Sequence, residues 1–223
     1  MDGENISFAE FDHCLQTLEK INVLTLAYRP ILKWMRGILC SHHDKPLYIL
    51  DAGSGGGDML RRIFKLAKKY KRPLRLVGVD LNPWSKDSAI LATPDAATIQ
   101  YETANIFSLN TDDHPDIIVS SLFTHHLTDE QIIQFLKWMD RTAQRGWFIN
   151  DLHRHIVPYV FIKYAVRLFS NNRLIQNDAP VSVARAFTAD DWKRLISQSG
   201  ISSDHIHIKW FFPFRYCVSC RKS

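Results

Sequence analysis

Apolar positions recur along this chain with two different periods. Leu47-Tyr48-Ile49-Leu50, Leu74-Arg75-Leu76-Val77-Gly78-Val79, Thr98-Ile99-Gln100-Tyr101-Glu102-Thr103-Ala104, Asp116-Ile117-Ile118-Val119-Ser120-Ser121-Leu122-Phe123 and Gly146-Trp147-Phe148-Ile149-Asn150-Asp151-Leu152 are short apolar or alternating runs, which predict strands. Met59, Leu60, Ile63, Phe64, Leu66 and Ala67, and later Ile132, Ile133, Phe135, Leu136 and Met139, fall at helical spacing. Thr128 with Gln131 makes a capping box, and Asp129 and Glu130 complement the helix dipole. Thr188 caps a further helix that Gly200 stops. Alternating βα units of this kind predict an α/β domain on a mainly parallel sheet.

Two stretches stand outside the alternation. Residues 7–40 read as a helical prelude, with Phe8, Phe11, Leu15, Leu18 and Ile21 on one face and a second apolar helix through Leu39; Ser41-His42-His43-Asp44-Lys45-Pro46 links it to the first strand. Residues 153–187 interrupt the units after the fifth strand. Ile156-Val157-Pro158-Tyr159-Val160-Phe161-Ile162 predicts an aromatic, apolar helix, and Ser170 to Ala184 a loop. An insertion at a strand's carboxyl end is placed to be a lid, although Lys163 and Arg167 among apolar residues would also suit a membrane surface. His205–Phe211 and Arg215–Ser219 predict a closing hairpin.

The first strand runs into Leu50-Asp51-Ala52-Gly53-Ser54-Gly55-Gly56-Gly57, and a helix follows at Asp58. Strand, glycine turn and helix are the start of a nucleotide-binding βαβ unit, where the backbone turns sharply and a ligand approaches without a Cβ in the way. Asp51, two residues before the first glycine, would repel a pyrophosphate and would suit a ligand carrying an ammonium and a sulfonium. Asp80 ends the second strand, where an acid accepts both ribose hydroxyls, and Leu81 and Asn82 follow where an adenine would lie. Asn105 and Ile106 follow the third strand.

Composition narrows the setting. The chain has 223 residues, 46% of them hydrophobic, enough for one domain with a full core. Its start is acidic and polar rather than a signal peptide, and no run of about 18 apolar residues predicts a membrane span. Cys14, Cys40, Cys217 and Cys220 lack a second pair at zinc spacing, so they read as reduced thiols of a cytoplasmic protein, and no metal is expected. Much of the net charge of +5 lies in Arg61, Arg62, Lys65, Lys68, Lys69, Lys71 and Arg72. These read as a solvated basic face, without the interleaved aromatics of a nucleic-acid binder.

The acid-x-Gly-x-Gly-x-Gly run at 51–57, together with Asp80, resembles the first motifs of class I S-adenosylmethionine (SAM) methyltransferases. The resemblance implies a Rossmann-like seven-stranded sheet with the last strand antiparallel and helices on both faces. It divides a single domain into an N-terminal helical cap (1–45), a SAM-binding core (46–152 and 188–223) and an acceptor lid (153–187). Asp51, Gly53, Ser54, Gly55, Gly57, Asp80, Leu81, Asn82, Asn105, Ile106 and Ser120 would then bind the cofactor.

Phe123-Thr124-His125-His126-Leu127-Thr128-Asp129 is similar to the histidine-containing segment of ubiquinone-type and plant phenolic O-methyltransferases. The combination of Ile21-Asn22 and Tyr28-Arg29-Pro30 with Asn150-Asp151-Leu152-His153-Arg154 resembles bacterial enzymes of polyketide and quinone-like products, which implies Tyr28, Arg29 and Arg154 at the acceptor, with Tyr159 of the lid segment as a further candidate.

These likenesses imply methylation of a hydroxyl oxygen on a small aromatic or polyketide-type acceptor. A phenol with a pKa near 10 is a poor nucleophile at neutral pH, so a base is needed. His125 is the first candidate, with His126 or His153 as substitutes and Asp151 to orient the imidazole or bind the acceptor. The alternatives are a methyltransferase for protein, RNA or a carbon or nitrogen centre, and a non-catalytic SAM-binding module. A homodimer is compatible with the sequence.

Overall fold

The structure is a computed structural model that describes residues 6–40, 45–95, 97–109, 113–169 and 173–222. The chain start, the linker at Ser41–Asp44, the side chain of Arg167 and the first residues of the expected 170–184 loop lie outside the described residues.

Two helices come first, α1 (Phe8–Leu24) and α2 (Arg29–Leu39). Ser7 and Glu10 form a capping box at the start of α1, and Pro30 sits in the first turn of α2. The alternating region follows as β1 (Leu47–Ala52), α3 (Asp58–Lys69), β2 (Leu74–Asp80), α4 (Pro83–Ala92), β3 (Ile99–Thr103), β4 (Ile117–Ser121), α5 (Asp129–Thr142) and β5 (Gly146–Leu152). After it come α6 (Ile156–Phe169), α7 (Arg173–Arg185), α8 (Ala189–Ser199), β6 (Ile206–Phe211) and β7 (Arg215–Arg221). The strands form one seven-stranded sheet in the order β3-β2-β1-β4-β5-β7-β6. β7 runs antiparallel to both its neighbours, while β1 to β5 are parallel. This is the Rossmann-like methyltransferase sheet that the sequence implies.

Strands buried on both faces need helices above and below. On one face Ile132, Phe135 and Leu136 of α5 and Trp192 and Leu195 of α8 pack on Leu50, Val77, Ile118 and Ile149. On the other, Ile31 and Met35 of α2 and Leu60 and Ile63 of α3 pack on Ile49, Leu76, Val119 and Phe148. The strand order reverses between β1 and β4, so their carboxyl ends open a crevice at that point.

One helix adds to the local reading, and three expectations need correction. α4 follows an Asn82 cap and Pro83, which the apolar pattern alone does not announce. Among the described residues no helix joins β3 to β4, so the third βα unit lacks its helix; Asn105, Ser108 and Pro115 favour turns there. β4 ends at Ser121, because Leu122 takes φ +57° and leaves the strand. Most of the expected 170–184 loop is α7, a helix with Pro180 inside it. Packing against α6 and α1 outweighs the weak local propensity.

The β5–β7 pairing closes the sheet and depends on a glycine. Gly146 has φ +148°, and a Cβ there would press on the backbone carbonyl oxygen of Cys220 in β7. Gly146→Ala should lower unfolding free energy by about 1–3 kcal/mol in urea titrations. An unchanged midpoint would show that this close approach does not constrain the sheet.

Candidate active site

The glycine turn is held from both sides. Gly53 and Ser54 donate their N–H groups to Val79 O at 2.9 and 3.0 Å, and Gly57 N–H bonds Ser54 O at 2.9 Å. Gly53 has φ +73°, and the space where its Cβ would stand is filled by the ring of Phe123; Gly57, at φ +72°, is filled likewise by Tyr101. These two glycines allow packing. At Gly55 only a methyl of Leu15 comes within 4.0 Å of a built Cβ, so the turn is open there toward α1.

Asp51 is 1% exposed, and its Oδ1 has no hydrogen-bond partner. Burial, with Asp58 and then Asp80 nearby, pushes its pKa well above the ordinary 3.8. An unpartnered buried carboxylate is costly unless a cation joins it. Asp80 is placed to complete the turn: its Oδ2 accepts from Gly55 N–H at 2.9 Å and its Oδ1 from Asn82 N–H at 3.0 Å. Each oxygen keeps a lone pair free for a ribose hydroxyl.

Sequence reasoning missed Asp58, which opens α3. It accepts a short hydrogen bond from the Tyr28 hydroxyl, and burial raises its pKa. Burial and the Asp58 charge also push Tyr28 up. Glu19 of α1 bridges Arg61 at 2.6 Å and Arg62 at 3.3 Å, and the Arg62 guanidinium lies 3.9 Å from the Tyr28 ring centre. These contacts tie α1 and Tyr28 to α3 beside the glycine turn.

A cavity of about 690 Å³ extends from the turn across the carboxyl ends of β1, β4 and β5. Asp51, Gly53, Ser54, Gly55, Asp58 and Tyr28 form one part of its wall, and His125, His126 and Arg215 another. Leu15, Leu18 and Ile21 of α1, Val157, Phe161 and Ile162 of α6 and Val183 of α7 supply apolar walls. Phe212 and Phe214 of the β6–β7 turn, which contains the cis Phe212–Pro213 bond, complete them.

His125 sits in a short 3₁₀ turn, Thr124–His126, after β4, and is 6% exposed. Its Nδ1 is 2.7 Å from Oδ1 of Asp151 in β5. Asp151 also accepts from Thr124 Oγ1 at 2.5 Å, from His125 N–H at 3.1 Å and from Leu152 N–H at 2.7 Å. Burial alone would raise the Asp151 pKa; the His125 charge and these hydrogen bonds more than offset it and hold the acid at about 2. A carboxylate acceptor fixes the proton on Nδ1, which leaves Nε2 as the nitrogen able to take one.

The other sequence candidates divide between the cavity wall and its surroundings. His126 lines the cavity beside His125, with ring centres 4.2 Å apart. His153 does not reach the cavity: it packs on Tyr216, lies 3.3 Å from the Trp210 indole nitrogen, and burial lowers its pKa. Arg29 is exposed and off the cavity wall, because it starts α2 on the outer face. Arg154 pairs with Asp191 at 2.7 Å, and Tyr159 is half-buried away from the wall. Ser120 is a cross-strand tie, its Oγ donating to Ala52 O at 2.9 Å. Leu81 is exposed, the Asn82 side chain caps α4, the Asn105 carbonyl accepts from Phe107 N–H at 3.0 Å, and Ile106 is a core residue. Among the described residues no histidine, cysteine or acid cluster is arranged to hold a metal ion.

Comparison with known proteins agrees with this geometry. Residues 49–146 match the family described as a methyltransferase domain. The fold is that of class I SAM methyltransferases. The magnesium protoporphyrin IX methyltransferase of Synechocystis PCC 6803 with bound S-adenosylhomocysteine (SAH) is similar over 100% of this chain and 90% of its own, at 14% identity and a TM-score of 0.59. Human N-acetylserotonin methyltransferase in complex with SAM is similar over 97% of this chain and 57% of its own, at 14% identity and a TM-score of 0.65. The plantazolicin methyltransferase BpumL in complex with a triazolic desmethylPZN analog and SAH is similar over 96% of this chain and 89% of its own, at 14% identity and a TM-score of 0.61. No curated protein sequence matches this one significantly. SAM is the cofactor this site fits: Asp51 presents a buried carboxyl oxygen without a partner, Gly55 an open backbone, and Asp80 a carboxylate at the end of β2.

The two buried acids set opposite pH limbs. Asp51 has its folded pKa raised above 3.8, so its favourable contribution is complete below that pH and is lost as pH rises through the folded value. Asp151 has its folded pKa lowered to about 2, so its contribution is present above 3.8 and is lost as pH falls toward 2. In thermal melts of the ligand-free protein, Asp51→Asn should remove the loss at higher pH and Asp151→Asn the loss at lower pH. Asp51→Asn should also weaken SAH about tenfold or more by calorimetry. Unchanged SAH affinity would remove Asp51 from the binding site.

Proposed function

We propose that this chain transfers the methyl group of SAM to a hydroxyl oxygen of a small aromatic or polyketide-type acceptor, with His125 as general base. The observation that carries the reading is the His125–Asp151 hydrogen bond of 2.7 Å on the wall of a largely apolar cavity. When bound, SAM supplies an electrophilic methyl carbon on a sulfonium. The residues of the chain do the rest. Asp51 sets a negative charge beside the ammonium and sulfonium, and the apolar walls exclude water from the acceptor face.

Methyl transfer needs the acceptor oxygen in line with carbon and sulfur, and such orientation supplies about 7–11 kcal/mol. As attack proceeds, Nε2 of His125 takes the hydroxyl proton, and ionised Asp151 stabilises the imidazolium that forms. The 1–45 segment acts as the cap, reaching the cavity through α1 and Tyr28, and the 153–187 segment as the acceptor lid, reaching it through α6 and α7. Of the neighbours, the one named for N-acetylserotonin, a small aromatic with a ring hydroxyl, supports this acceptor class, while those named for protoporphyrin IX and plantazolicin do not bear on it.

His125→Ala should lower kcat about 10²-fold or more with SAH affinity unchanged within about twofold. Asp151→Asn should also lower kcat while sparing SAH affinity, because an amide stabilises an imidazolium poorly. Single-turnover assays with a phenolic acceptor panel and calorimetry with SAH measure both. Full turnover by His125→Ala at neutral pH would refute the role of the histidine.

A further inference from the structure

We propose that Arg215 anchors a carboxylate of the acceptor, so that the preferred substrate is an aromatic acid rather than a neutral phenol. The inference rests on the methyltransferase reading of the same cavity. Arg215 begins β7, is 3% exposed and lies on the cavity wall. Its Nη2 donates to Thr25 Oγ1 at 3.1 Å, but its Nε and Nη1 have no partner. Buried donors of a charged group are seldom left unmade without a ligand to meet them.

The nearby acid does not serve. Asp151 is already engaged by His125, Thr124 and Leu152, and it forms no ion pair with Arg215. Burial lowers the Arg215 pKa only to about 10, so the guanidinium stays charged at neutral pH.

The site also lies in the correct half of the cavity for an acceptor. β7 is three strand positions from β1, a distance of about 14 Å at ordinary strand spacing, so Arg215 is remote from the glycine turn and adjoins the strand that carries Asp151. A guanidinium presents parallel N–H groups that match the two oxygens of a carboxylate. Around the mouth, Leu24, Val157, Phe161 and Phe212 are both exposed and part of the cavity wall, which suits an alkyl substituent leading outward.

The test uses olivetolate, a dihydroxybenzoate with a pentyl chain, against olivetol, the same molecule without its carboxylate. Calorimetry on the SAH-saturated protein should find olivetolate bound about tenfold or more tightly than olivetol. Arg215→Gln, with its fold checked by circular dichroism, should lose that preference. Arg215→Lys, which keeps the charge but not the fork, should retain part of it. Equal binding of the two by the unmodified protein, or a preference that survives in Arg215→Gln, would overturn the anchor. If olivetol is bound and methylated as well as olivetolate, the anchor fails and the methyltransferase reading stands. If neither is bound or methylated, both fail.

Discussion

A carboxylate sealed in a protein without a partner is unfavourable, and the chain places one at the end of its first strand. Asp51 has its backbone fixed by parallel pairing, opposite Gly78 on one side and Val119 on the other, so it cannot turn to solvent. Asp58 and Asp80 add like charge around it. The glycine turn beside it leaves room for a ligand at Gly55, and the sheet order reverses at the same place. Sheet topology, turn chemistry and charge therefore converge on a site for a cationic nucleoside. The protein carries this local instability because the ligand removes it.

The second buried charge system is organised differently. Asp151 is fully hydrogen-bonded, by a histidine ring, a hydroxyl and two backbone N–H groups, and needs no ligand. Its partner His125 is rigid for that reason, held by a strand on one side and a capped helix on the other. Arg215 adds a cation whose donors are only partly satisfied. The crevice thus has a buried acid without a partner at its β1 end, and at β5 and β7 a histidine fixed by a carboxylate beside a cation with unmade hydrogen bonds. A donor that is cationic and an acceptor that is acidic would be sorted to opposite ends by charge alone.

Much of this was legible in the sequence where local and global signals agree. The apolar runs at 47–50, 76–79 and 117–119 lie in strands with both faces largely covered, so they read without ambiguity. Asp51, the glycines and Asp80 follow from their place at strand ends, and His125 from its place between a strand and a capping box. The missed features depend on tertiary contacts. α7 contains Pro180 and polar residues and is helical because it packs on α6 and α1. Asp58 looks like an ordinary first-turn acid until Tyr28, thirty residues earlier in the chain, is brought to it. Arg215 reads as one strand residue among many; the only hint is that it shares a strand face with buried Cys217. Arg29, Arg154 and His153 were legible as polar residues near functional segments, but nothing local tells which side of α2 or of the sheet they face.

The proposed role of Asp51, a buried acid with a raised pKa, is to receive the cationic cofactor. At pH values where such an acid is protonated in the free protein, it ionises as the cation arrives and binding expels a proton. Calorimetric titration of the protein with SAM at mildly acidic pH, repeated in buffers of different ionisation heat, measures that proton directly. The account predicts binding at one site per chain, with a heat that varies between buffers in the direction of proton release. Failure of SAM to bind, or a binding heat independent of the buffer, would contradict it.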